Sequence, residues 1–92
     1  MDKVIIDSRI GRLHPELTDK DVLDAWDNVI HSKTRLEEQP FECVAVGMDS
    51  TGRLVEMVAV RLSNGDMLVF HAKTPPTKKT LKELELLGGR RK

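Results

Sequence analysis

His71 and Lys73 close the most apolar segment of the chain, in the stretch MLVFHAKTPPTKK at residues 67–79. Two residues apart on an extended strand, they share one face. An imidazole can move a proton near neutral pH, and an ammonium can hold a phosphate or stabilise an oxyanion. Glu56 lies fifteen residues earlier, at the distance a hairpin would fold back. A carboxylate, an imidazole and an ammonium in mutual reach can support acid–base chemistry, with His71 or Glu56 moving the proton and Lys73 meeting negative charge. The same three residues can equally be a cross-strand ion pair with a histidine beside it, an arrangement that contributes little to stability.

The elements that would position them follow from local pattern. Residues 41–47, 54–62 and 67–72 read as three strands, and Asn64-Gly65 between the last two is a strong hairpin signal. A two-residue turn there would oppose Leu62 to Met67, Val60 to Val69, Val58 to His71 and Glu56 to Lys73. Glu56, His71 and Lys73 then converge on one face, far from the turn. A looser turn over Asp49-Ser50-Thr51-Gly52 would oppose Met48 to Arg53 and set Ala45 beside Glu56.

Residues 3–6 make a short first strand. Thr18, with Asp21 three residues on and Leu17 placed to pack on Val22, marks a helix start. Val22, Ala25, Trp26, Val29 and Ile30 continue it as one apolar stripe. Residues 31–40 read as irregular. Residues 77–87 form a last helix with Leu81, Leu84 and Leu87 inward and Gly88-Gly89 as its stop. The expectation is a single α+β domain over 1–92, mostly antiparallel, with a three-stranded meander, one helix before it, one after it, and a flexible basic tail at 88–92.

That last helix begins Thr77-Lys78-Lys79, with two cations where the helix dipole favours acids. With Lys82, this helix start is a candidate phosphate-binding surface. Net charge is zero, but residues 1–50 carry 6 Lys and Arg against 11 Asp and Glu, while residues 51–92 carry 9 against 4. The basic half suits an anionic partner such as RNA. A solvated helix face and a loose tail would give the same imbalance.

Other residues carry weaker signals. His14 lies in the loop before the first helix and His31 after it. The single cysteine, Cys43, excludes an internal disulfide and reads as a small core residue. No histidine or cysteine spacing matches a zinc site, so neither metal nor cofactor is expected. Trp26 reads as core, and with no tyrosine there is no aromatic platform for bases. No apolar run is long enough to span a membrane, and no cationic secretory start is present, so a cytoplasmic protein is expected.

The order LHPELTDKDVLDAW, VAVGMDSTGRLVEMVAV, GDMLVFHAKTPPTKKTLKEL, over about residues 9–86, resembles the BrnT-like toxins of the RelE-type superfamily. The resemblance implies a RelE-like fold and a ribonuclease that cuts RNA without metal, held inactive by a cognate antitoxin encoded nearby. It carries His14, Arg53 and Lys73 onto the family's histidine, turn arginine and strand-end arginine. His71 stands at a serine position, and Lys73 presents a point charge in place of a planar fork. The antitoxin would cover residues 71–82 with an acidic segment. A non-catalytic interaction module, complementing a partner or a second copy of itself as a homo-oligomer, and an inactive toxin relic are the alternatives.

Overall fold

The computed structural model of the chain describes residues 3–86. Its elements run β1 (Val4–Ile6), α1 (Arg9–Leu13), α2 (Asp19–Asp27), β2 (Val29–Arg35), β3 (Glu42–Met48), β4 (Leu54–Arg61), β5 (Met67–Lys73) and α3 (Lys78–Glu83). They build an α+β domain on one five-stranded mixed sheet in the order β1-β5-β4-β3-β2. β2 to β5 pair antiparallel in succession, and β1 joins β5 in parallel.

The helix start at Thr18 is as expected. Its hydroxyl accepts from the Asp21 N–H at 3.1 Å, and the Asp21 carboxylate accepts from the Thr18 N–H at 3.0 Å. Leu17 and Val22 are both buried in the same core. The end of α2 differs from expectation. The helix stops at Asn28, whose side chain donates to the Asp24 carbonyl. Val29 and Ile30 leave the apolar stripe and begin β2, which takes up residues expected to be irregular. β2 is an edge strand exposed along nearly its whole length, so no alternation of apolar and polar residues announces it. The short α1 was also not apparent in the sequence.

Both hairpins close by one device. Gly52 and Gly65 have φ of 88° and 95° and donate their N–H to the carbonyls of Asp49 and Leu62. Each ends a three-residue loop, a geometry that needs the left-handed conformation glycine tolerates. The Asn64-Gly65 turn is therefore not the expected two-residue one, and Arg61, not Leu62, faces Met67. Likewise Met48 faces Leu54, so Val46 and not Ala45 stands opposite Glu56. A register shift at Phe70 then restores the original count: Val58 pairs with His71 and Glu56 with Lys73, as expected.

The sheet buries both faces. Ala45, Val55, Met57, Ala59, Val69 and Ala72 pack against Ile10, Leu17, Val22 and Ala25 of the α1–α2 layer. Val44, Val46 and Val58 pack on the other face against Leu84, at the end of α3, and Phe70. The last helix is shorter than the 77–87 expected: α3 ends at Glu83, with Leu84 as its C-cap and Glu85 in the left-handed region at φ 58°, while Leu87, the Gly88-Gly89 stop and the tail lie outside the described residues.

Candidate functional site

Glu56 is the only buried carboxylate on the α3 face of the sheet among the described residues, 5% exposed. Its alternation with the core residues Val55 and Met57 turns it toward α3. Both of its oxygens are engaged. Oε1 accepts the Thr77 backbone N–H at 2.7 Å and the Thr77 hydroxyl at 3.0 Å. Oε2 lies 2.7 Å from His71 Nε2. Burial pushes its pKa upward, but the hydrogen bonds from Thr77 and His71 outweigh that and hold it below the usual glutamate value. The carboxylate is thus ionised at neutral pH, and Nε2 is the donor in the pair.

This arrangement accounts for the two lysines in the first turn of α3. Thr77 caps the helix through its hydroxyl to the Thr80 N–H. The buried carboxylate of Glu56 beside it supplies the negative charge that this end of a helix favours. The position where the sequence suggested a phosphate already faces an anion of the protein's own. Lys78, Lys79 and Lys82 are solvent-exposed along the helix.

His71 is held at one nitrogen and open at the other. With Nε2 facing Glu56, Nδ1 makes no hydrogen bond among the described residues, and in the neutral ring it is the nitrogen that carries the lone pair. The side chain is 37% exposed. Lys73 shares the His71 face and pairs with Glu56 through the backbone ladder. Its ammonium makes no ion pair among the described residues, because Thr77 and His71 take the carboxylate first.

The other candidates lie elsewhere. Arg53 follows the parity of Val55 onto the opposite face, where Nε donates to Asp49 at 2.8 Å and the guanidinium reaches Asp21 and the Glu16 carbonyl. It clasps the β3–β4 loop to the start of α2. His14 caps α1, with Nδ1 3.7 Å from Glu16. Neither is brought to His71. Cys43 is half-buried, and burial pushes its thiol up, away from the reactive thiolate. Among the described residues, no three His, Cys, Asp or Glu side chains gather to hold a metal ion.

Sequence reasoning missed Thr77 as a neighbour of the site and Arg35 as the residue that holds the other end of α3. Thr77, a capping residue type just before an apolar-periodic segment, was legible as a helix start but not as a partner of Glu56. Arg35 binds Glu83 at 2.8 Å and Glu42 at 2.9 Å, tying the far end of α3 to β2 and β3. No local pattern signals that bridge, since 48 residues separate Arg35 from Glu83.

Compared with family models, curated proteins and solved structures, the chain gives no match.

Proposed function

We propose that the protein is an RNA-cleaving toxin of the RelE-like kind, paired with an antitoxin encoded beside it and acting in the cytoplasm. The observation that carries this reading is the Glu56–His71 dyad, in which a buried carboxylate fixes one imidazole nitrogen and leaves the other open beside Lys73. A carboxylate that sets the tautomer and orientation of a histidine is a recurring way to prepare a general base. The order of motifs, similar to the BrnT-like toxins, supports the same reading.

His71 Nδ1 takes the proton of an RNA 2′-hydroxyl. The 2′-oxygen forms a bond to the adjacent phosphorus, and the bond from phosphorus to the 5′-oxygen breaks. The departing 5′-oxygen takes a proton from water, leaving a 2′,3′-cyclic phosphate. Lys73 stabilises the charge that builds on the phosphoryl oxygens. Glu56 is a positioning residue, because its oxygens are committed to Thr77 and His71. Metal plays no part in this scheme.

One observation favours a non-catalytic interaction module instead: both contacts of Glu56 Oε1 are with Thr77 and anchor α3. The two readings part on His71→Gln, which retains an N–H donor for Glu56 but has no basic nitrogen. On the nuclease reading, the wild type slows growth when expressed without its neighbour and cleaves RNA in the presence of a chelator. His71→Gln and Lys73→Ala each lower cleavage about a hundredfold while remaining folded. Wild-type protein that is inert on RNA and harmless alone leaves the interaction module or the inactive relic.

A further inference from the structure

Among the described residues β2 has a neighbour on one side only, so alternate backbone N–H and C=O groups along its seven residues face outward with no partner among them. Natural edges are usually blunted by shortness, proline, a bulge within the strand or charged side chains such as lysine, and of these β2 carries Lys33 and Arg35, which repel a like-charged strand and favour an acidic one. β2 is long, contains no proline, and has its one irregularity at its start, between Val29 and His31. Its side chains divide by face. His31, Lys33 and Arg35 pair with Val46, Val44 and Glu42 on the α3 face, while Ser32 and Thr34 pair with Ala45 and Cys43 on the α2 face.

The two faces beside this edge differ in chemistry. On the α3 face the strand is cationic with no acidic residue of its own. Arg35 is already taken by Glu42 and Glu83. Lys33 is exposed and makes no ion pair among the described residues, although its charge is felt at Glu83. On the α2 face, an open hollow of about 730 Å³ is lined by Thr34, Trp26, Phe41, Cys43 and Met67 among others. It exists because a nine-residue helix is only about 13 Å long, whereas an eight-residue strand runs about 26 Å, so α2 cannot cover the sheet to its end.

We propose that this edge binds an extended polypeptide segment of a partner protein as a sixth strand, with acidic side chains alternating with apolar ones. In an added strand, residues opposite His31 and Lys33 lie on the α3 face, and an acid there meets the unpaired ammonium. The residue opposite Thr34 lies on the α2 face, beside the hollow, where a large apolar side chain fills it. Charge complementarity excludes a second copy of this strand as the natural occupant. Antiparallel self-pairing about Ser32 would set Lys33 against His31, with no acid to answer either. This surface is separate from His71 and does not rest on the nuclease reading.

The test is a titration of isotope-labelled full-length protein with the capped peptide Val-Glu-Phe-Glu-Val-Glu, followed by backbone and indole resonances and amide exchange. Alternate amides of β2 should gain protection, with shifts at Thr34, Cys43 and the Trp26 indole. Lys33→Glu, an exposed change, should weaken the peptide about tenfold or more and strengthen the reversed peptide Val-Lys-Phe-Lys-Val-Lys. The proposal is overturned if β2 amides gain no protection at millimolar peptide, or if the two peptides bind alike. It is also overturned if β2 is already protected in a concentration-dependent dimer, or if oligouridine protects it and the peptide does not.

Discussion

Glu56 and Asp49 are buried carboxylates with opposite assignments, one holding α3 and the other a turn. Asp49 Oδ1 accepts from the N–H groups of Thr51 and Arg53 and from the Thr51 hydroxyl, while Oδ2 accepts Arg53 Nε. Burial acts to raise its pKa, but these bonds hold it at about 2. A carboxyl lowered in the folded state stabilises the protein above its unfolded pKa, and that contribution disappears as pH falls through the folded value. Unfolding free energy should therefore decline between about pH 4 and pH 2, the unfolded reference being ~3.9. Asp49→Asn should flatten this decline in urea titrations run across that range and lower stability at pH 7. Glu56→Gln places an amide N–H₂ against either Thr77 or His71, both donors to the native carboxylate. A loss of roughly 1.5–3 kcal/mol is expected at pH 7, the scale of a hydrogen bond to a charged group. A stability equal to wild type would mean that α3 is not held through Glu56.

Among the elements, the contact between α2 and β3 is the least tolerant. A Cβ built on Gly47 falls 1.9 Å from the Ala25 carbonyl oxygen, a backbone atom that can move only if the helix moves. Met48 N–H donates to the Asn28 carbonyl at 3.2 Å in the same place, locking the helix end to the strand. Gly47→Ala should thus cost about 3 kcal/mol or more, at the upper end for overpacking. The measurement is a denaturant midpoint, with Gly11→Ala as the control because its Cβ meets nothing within 4 Å. The strands show a subtler coupling. A three-residue loop at Ser63–Gly65 and a bulge at Phe70 each displace the β4–β5 ladder by one residue, in compensating directions. Given the three-residue loop, His71 and Glu56 reach one face only because the bulge at Phe70 restores the count.

For the molecule as a whole, the sheet separates charge. Asp19, Asp21, Asp24 and Asp27 belong to α2 on one face, while Lys73, Lys78, Lys79 and Lys82 belong to the α3 face. The division between acidic and basic halves of the sequence becomes a division between two sides of a sheet whose strands come from both halves. If RNA meets the α3 face, replacing Lys78 and Lys79 by Gln should weaken binding and reduce the salt slope by about 1.4, at ~0.7 per phosphate contact on a single strand. Gln is the better probe than Glu, because the carboxylate of Glu56 already occupies that helix end. An unchanged slope would make these lysines a solvated face. Sequence alone determined the features governed by neighbours a few residues apart: the capping box at Thr18, the presence of strands β3 to β5, the turns between them that carry Gly52 and Gly65, and the shared face of His71 and Lys73. Only tertiary structure decided the rest. β2 is exposed on both sides and so writes no periodicity into its residues. Arg53 falls on the α2 face with Val55, two residues on along β4, and its contacts with Asp49, Asp21 and the Glu16 carbonyl bring together segments far apart in sequence. Glu56 turned from a partner of Lys73 into the anchor of α3 because packing Leu84 on Val44, Val46 and Val58 buries its carboxylate. A buried carboxylate is satisfied by the nearest fixed donors, here a backbone N–H, a hydroxyl and an imidazole, ahead of an ammonium that can remain in water.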